Sequence, residues 1–355
     1  MAKKGDAESV HNIVHHIQNL LALPVAVNRT EDAADYVLAH AKKLKLNTEQ
    51  LHDGTVRIRI KGKSSKRVVG YGAHLDRIGL IVRKLNDNGT LTIGNLGGLH
   101  PRHVEETAGT LLTDDGQKHP GVIFHTSSPI HKMGLKKFNE RPTEWDHIRF
   151  RPDVMIPYKK DAKSKMTDLG IAPGNLIMLD GFFHADTEAK VVRGRWLDNT
   201  LGCAVLLTLM DQITATKMKP AFDTILTFSV SEEMGSGGST VFADMTDFFS
   251  VDVTKAEEED LELAKPTLRL AAHGYPLHLQ LIKEMRQVAQ AQDIPLQEEV
   301  DYGGGTDAEQ ARRAGFTGRI GCLMMPIYNM HSIEAASLES CEGLIKLICA
   351  HMQNT

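Results

Sequence analysis

The sequence predicts an α/β protein, with a mostly parallel sheet carrying helices on both faces and a small β-rich module inserted into it. Three observations predict this class. The chain opens with amphipathic helical periodicity, its middle is broken into short apolar runs by turn signals, and its last part alternates helical stretches with continuous apolar strands. The expected division is residues 1–77 and 188–355 for the α/β domain, with residues 78–187 as the insert.

At the start, Ile13, Ile17, Leu20 and Leu21 recur at helical spacing. A second helix is expected from Ala34, Val37, Leu38, Ala41 and Leu44, after Pro24 breaks the first and Thr30 offers a cap. Val56, Ile58 and Ile60 alternate with Arg57, Arg59 and Lys61, turn at Lys63-Ser64-Ser65 and return as Val68 to Ala73, which predicts a hairpin ending at His74. From Ile78 to His184, Asn88-Gly89, Gly97-Gly98, Asp115-Gly116, Pro120-Gly121 and Pro173-Gly174 punctuate the chain at a spacing suited to a small barrel or sandwich. Beyond it, Leu201 to Ile213 and Leu277 to Gln292 read as helices and Thr224 to Val230 as a buried strand.

Composition narrows the function. Among 355 residues, 41 Lys and Arg stand against 45 Asp and Glu, a net charge of −4, which argues against a nucleic-acid partner. Cys203, Cys322, Cys341 and Cys349 form no Cys-x-x-Cys pair, so zinc-finger and disulfide-scaffold readings fail. The polar N-terminus lacks an apolar leader and no stretch reaches the roughly 18 apolar residues of a spanning helix. The expectation is a soluble, cytoplasmic protein without a membrane partner. Its 17 histidines prompt a search for metal ligands.

Five positions carry candidate chemistry. His74 and Asp76 point to one side of an extended backbone, so His74 can bind metal while Asp76 holds its other ring nitrogen or supports the site from behind, or the two form a structural pair. Asp198, in Trp196-Leu197-Asp198-Asn199, is either a helix N-cap with Asn199 or a carboxylate whose two oxygens reach two cations. Glu232 and Glu233 follow a buried strand, at the carboxyl end where α/β sheets place their active sites; the other reading is a solvated pair in a loop. Asp252 interrupts the apolar run Phe248 to Val253, and His331 ends the strand begun at Ile320, each open to a purely structural role.

Together His74, Asp198, Glu233, Asp252 and His331 supply two histidines and three carboxylates, a mixed set that suits zinc or cobalt better than magnesium or calcium. Shared between two cations, they would form a site able to activate water and polarise a carbonyl, with Glu232 as general base. Gly303-Gly304-Gly305-Thr306-Asp307 is expected as a tight turn capping the helix from Ala308. Glu257-Glu258-Glu259-Asp260 reads as a solvated loop.

These residues, in this order, resemble the tetrahedral aminopeptidase and glutamyl aminopeptidase family of dinuclear metallopeptidases, which includes cellulase-M-like proteins. The resemblance runs through His74-Leu75-Asp76, Leu197-Asp198-Asn199, Glu232-Glu233-Met234-Gly235, Val251-Asp252-Val253, Gly304-Gly305-Thr306-Asp307 and Met330-His331-Ser332. It implies a zinc-peptidase-like fold with an inserted β-barrel-like dimerisation domain. It also implies two divalent ions, zinc foremost with cobalt or manganese as alternatives. Asp198 would bridge them, His74 and Asp252 would complete one site, Glu233 and His331 the other, with Glu232 and Asp76 as the catalytic pair. Cleavage at the N-terminal end of short peptides and a dimer-based homo-oligomer, up to a hollow dodecamer, are further implications.

Three arginines of the family pattern are replaced here by Thr200, Gly237 and Tyr328, so no bidentate grip on an acidic substrate group is expected from them. Other functions fit the same residues. A related carboxypeptidase or deacylase would share the dinuclear site, a glycosidase could use Glu232 and Glu233 as its carboxylate pair, and a non-catalytic assembly module would need neither.

Overall fold

Two units divide the chain in the computed structural model, which describes residues 4–127, 130–157, 160–240, 244–257 and 261–354. One comprises Met1–Arg77 with Phe182–Thr355, the other Ile78–Gly181. The expected end of the insert at residue 187 falls later than this, because Phe183–Asp186 already pairs with Val191–Gly194 in the sheet of the larger unit.

The larger unit is built on a 12-stranded sheet. At its centre Phe222–Ser229, Ser64–His74, Asp247–Lys255 and Arg319–Tyr328 run parallel in that order. Strands buried on both faces must be apolar along their length. Phe248, Phe249, Val251, Leu323, Met324 and Met325 accordingly show no exposed surface. The flanking strands, including Val56–Ile60, Glu334–Ser337 and Val191–Gly194, pair antiparallel.

The helices follow the expected periodicities. Lys4–Leu21 and Glu31–Lys43 open the unit, although Thr30 makes no side-chain cap bond. Leu197–Thr216 buries nearly every residue from Leu197 to Met210, as a central helix hydrophobic all round should. Leu279–Ala291 and Leu338–Asn354 add further apolar faces to the same core. No helix among the described residues is long and apolar enough to cross a membrane.

One expectation is overturned. Val56–Ile60 and Ser64–His74 do not form a hairpin, because Phe222–Ser229 lies between them, antiparallel to the first and parallel to the second. The connection makes this possible. A Cβ on Gly62 would sit 2.2 Å from the Phe222 carbonyl carbon, so only glycine lets the link cross so closely. Gly62 N–H then donates to Asp223 Oδ1 at 2.8 Å, and Lys63 N–H to the Pro220 carbonyl at 2.9 Å.

The smaller unit is a closed six-stranded antiparallel barrel, in the order Gly79–Leu85, Leu91–Leu96, Ile148–Pro152, Lys118–His125, Ala108–Leu112, Leu176–Leu179. Leu80, Leu91, Ile93, Leu111, Ile123, Phe150 and Ile177 fill it. Asn88-Gly89 and Asp115-Gly116 are turns with Gly φ of +77° and +84°. Pro120-Gly121 instead lies within the Lys118–His125 strand.

The four parallel strands carry their carboxyl ends to one edge of the sheet. Ser229 pairs with His74, and Asp252 with Met324 on the strand that leads to His331. This edge gathers residues separated by more than 250 positions in sequence.

Candidate metal centre

His74 ends its strand with its ring buried. Its Nδ1–H donates to the Asp76 backbone carbonyl at 3.0 Å, which turns Nε2 outward toward the acids of the cluster. That nitrogen lies 3.1 Å from Asp198 Oδ1, 3.7 Å from Asp252 Oδ1 and 3.8 Å from Glu232 Oε2. Three carboxylates around one nitrogen favour a positive charge there, which a proton on Nε2 or a cation in its place can supply. On the other side His331 Nε2 is 3.4 Å from Asp198 Oδ2 and 3.7 Å from Glu233 Oε2. The five residues therefore fall into two groups, His74 with Asp198 and Asp252, and Asp198 with Glu233 and His331. Within each group the ligand atoms lie within 4.8 Å of one another. Asp198 belongs to both, through different oxygens.

Local structure frees Asp198 for this position. The helix begins regularly only after Asn199, whose Oδ1 accepts the Gly202 N–H at 3.0 Å and whose Nδ2 donates to the Val251 carbonyl at 2.9 Å. Asn199 thus caps the helix and ties it beside Asp252, so the Asp198 carboxylate has no capping task.

Asp76 lies behind the cluster. Its carboxylate is 3.6 Å from His74 Nδ1, and its two oxygens accept the backbone N–H groups of Glu232 and Glu233, each at 3.1 Å. It fixes the turn that presents both glutamates. The 3₁₀ turn Glu232–Met234 is further held by Gln310, whose Nε2 donates to Glu232 Oε1 at 2.7 Å and to the Glu232 carbonyl at 3.2 Å.

Electrostatics set this cluster apart. Burial raises the pKa values of Glu232 and Glu233 well above the carboxylate range; beside Glu232 the Asp252 charge adds to this, and beside Glu233 the Asp198 charge does. Burial, with Asp198 nearby, pushes Asp252 up to about 7 and Glu334 up to about 8. Asp198 goes the other way, because hydrogen bonds from His331 and His74 overcome its burial. His74 is held above its ordinary range, since Asp198 and Asp76 outweigh its desolvation. Glu233 Oε1 and Asp307 Oδ1 are buried with no hydrogen-bond partner. Acceptors left bare in such a place fit cations, which only lone pairs attract.

Sequence reasoning missed two members. Glu334 is fully buried and accepts the N–H groups of Leu197 at 2.6 Å, His331 at 2.9 Å and Asp198 at 3.3 Å, so one carboxylate pins the backbones of two neighbours in the cluster. Its signal was a lone acid heading the short strand Glu334–Ser337, the same kind of signal that marked Asp252. Gln310 gave none, being one polar residue in the polar helix Asp307–Arg313. Thr306 caps that helix by accepting the Ala308 N–H, and Asp307 accepts Ser229 Oγ–H at 2.5 Å. Glycine is favoured at Gly237, where a Cβ would lie 2.4 Å from Asp307 Oδ1 and 2.8 Å from the Glu232 nitrogen. Thr200 is buried, and Tyr328 is exposed at the end of its strand. Glu258, Glu259 and Asp260 of the expected acidic loop lie outside the described residues.

This chain is similar over nearly its whole length to known proteins. YhfE of Bacillus subtilis (strain 168) is 23% identical over 348 residues, covering 98% of this chain and 99% of that one. The TET aminopeptidase from the marine sediment archaeon Thaumarchaeota archaeon SCGC AB-539-E09 superimposes with a TM-score of 0.87 at 19% identity, covering 96% and 97% of the two chains. The Pyrococcus horikoshii TET1 peptidase, which can assemble into a tetrahedron or a large octahedral shell, gives 0.83 at 21% identity, covering 97% and 100%. The two structures share the fold, with its α/β sheet. Residues 54–347 match the M42 glutamyl aminopeptidase family, and the chain therefore belongs to that family of metal-dependent peptidases.

Proposed function

We propose that the protein is a dinuclear metallo-aminopeptidase that removes the first residue of short peptides. The observation that carries this reading is the placement of Asp198, whose Oδ1 lies 3.1 Å from His74 Nε2 and whose Oδ2 lies 3.4 Å from His331 Nε2. His74 and Asp252 would hold one divalent cation, Glu233 and His331 the other, and Asp198 both. Zinc is the expected ion, with cobalt and manganese as alternatives that tolerate the same nitrogen and oxygen donors. Bound there, the pair supplies Lewis acidity that polarises the scissile carbonyl and acidifies water.

The chain's own residues supply the proton chemistry. Glu232 accepts the proton of the attacking water as its oxygen bonds to the carbonyl carbon, then delivers it to the amide nitrogen as the carbon–nitrogen bond breaks. Asp76 and Gln310 hold the turn and the carboxylate in place for that transfer. A homo-oligomer built from dimers, up to a dodecamer, belongs to the same reading, supported by the shells of the Pyrococcus horikoshii relative.

The test compares free and N-acetylated dipeptide and tripeptide substrates in the presence of zinc, cobalt or manganese. Hydrolysis of free peptides, rejection of blocked ones and loss of both metal and turnover on chelation are expected. Cleavage of blocked peptides at their carboxyl end would instead favour a carboxypeptidase or deacylase. Turnover that survives chelation would overturn the metal-dependent reading altogether.

A further inference from the structure

A second constellation of metal-ligating side chains lies away from the sheet edge, among three helices. His16 on Lys4–Leu21, His40 on Glu31–Lys43 and Asp211 on Leu197–Thr216 place one donor atom each within 4.8 Å of the others. His16 Nε2 is 3.1 Å from Asp211 Oδ2 and His40 Nε2 is 2.9 Å from Asp211 Oδ1. The two imidazoles meet edge to face, their centroids 4.7 Å apart. Among the described residues the two histidines and one carboxylate form the set.

Two features make this more than a hydrogen-bonded trio. One donor atom from each of the three side chains already lies within 4.8 Å of the other two, close enough for a single ion with bonds of about 2.0–2.1 Å to draw them together. Furthermore, His16 Nδ1 lies 2.9 Å from Tyr36 Oη, an outer partner that can accept a hydrogen bond from the ring. When His16 Nε2 turns to a cation, the ring's hydrogen resides on Nδ1 and is donated to the tyrosine oxygen, so His16 can bind as the neutral imidazole. His16 is buried, whereas the His40 and Asp211 side chains are 16% and 23% exposed, which leaves one side open for a water ligand and for access.

We infer that His16, His40 and Asp211 form a third divalent-cation site, of zinc type, that clips the two N-terminal helices to the helix whose first turn carries Asp198. Its ligands are shared with no residue of the catalytic cluster. Its role is structural, since Asp211 lies several turns away from Asp198 on the same helix.

The full-length chain is loaded with excess zinc, freed of loose metal and its zinc counted per chain, alongside His40→Gln and Asp211→Asn. The wild type is expected to retain one more zinc than either variant, with kcat unchanged in the variants and the zinc-induced rise in melting temperature reduced. An anomalous map of the zinc-loaded wild type at the zinc edge is expected to place a peak between His16, His40 and Asp211. This measurement stands even if a variant fails to fold. Equal zinc counts in folded variants, or a map without that peak, overturn the site. Because the catalytic ions give their own peaks, the absence of this one leaves the dinuclear reading intact, and the absence of those leaves this one.

Discussion

The central parallel strands end in two opposite electrostatic worlds. At their amino ends, Arg67, Asp247 and Arg319 interlock. Arg319 Nη2–H donates to Asp247 Oδ2 at 2.8 Å, and Arg67 Nη2–H donates to Glu284 at 2.7 Å. Each acid there has a guanidinium. Although burial works against it, the charges of Glu284 are satisfied by His351 and Arg67, which pull its pKa down to about 2. At the carboxyl ends, Asp252, Glu232 and Glu233 have no arginine or lysine partner among the described ion pairs, and their pKa values rise instead. Burial is common to both ends, so it cannot explain the difference. What differs is whether the chain brings its own cation, and the carboxyl end is the one left for ions from solution.

The widest break in this comparison comes from changing the base. Glu232→Gln keeps the shape and the Gln310 contact region but cannot take a proton. Turnover is expected to fall by roughly 10²–10⁴-fold, with the zinc content unchanged by elemental analysis. Unchanged turnover would remove Glu232 from the reaction. Stripping the ions is the complementary change, because it leaves the carboxylates facing one another. The stripped protein is expected to melt lower at neutral pH. Each divalent ion restored at about 100 times its dissociation constant adds about 2.7 kcal/mol, read as a concentration-dependent melting temperature. A melting temperature indifferent to metal would mean the cluster needs no external charge.

The amino end yields a pH prediction of definite sign. Glu284 titrates near 2 when folded against an ordinary value of 4.5. Its contribution is therefore fully present above 4.5 and disappears as pH falls through 2. At about 1.4 kcal/mol per pH unit, this amounts to at most about 3.5 kcal/mol. Glu284→Gln should reduce stability in denaturant at pH 7 by up to that amount and little at the acid end. A deficit that persisted undiminished to pH 2 would show that packing, rather than charge, was lost.

Much of the carboxyl end was legible because its residues violate local expectation. An acid inside Phe248 to Val253, a glutamate pair closing an apolar strand and a histidine ending another each stand out against what surrounds them. Fold class and barrel were readable for a similar reason, since turn glycines and continuous apolar runs are local signals. What stayed hidden depends on partners distant in sequence. The strand that splits the expected hairpin arrives about 160 residues later, so Arg57 and Arg59 mimicked an ordinary exposed face. Glu334 acts only through backbone groups that the fold brings to it. His16, His40 and Asp211 sit on three helices, and none of the three helices betrays the others.

Gln310 offers the finest test of the contrast between the ends. The amino end orients its acids with guanidinium groups, whereas here a neutral amide holds Glu232 at 2.7 Å and leaves its charge free for a proton. Gln310→Ala removes that hold without adding charge. A drop in kcat of about tenfold is expected, the size of one lost orienting hydrogen bond of about 1.4 kcal/mol, with KM and zinc content little changed. Gln310→Arg would import the amino-end arrangement, pairing Glu232 with a cation and lowering its basicity, so its pH–rate profile should lose more activity than the alanine variant while keeping the hydrogen bond. If arginine instead restored turnover above alanine, then geometry alone would govern the base, and the absence of a built-in cation at this end would have no part in the chemistry.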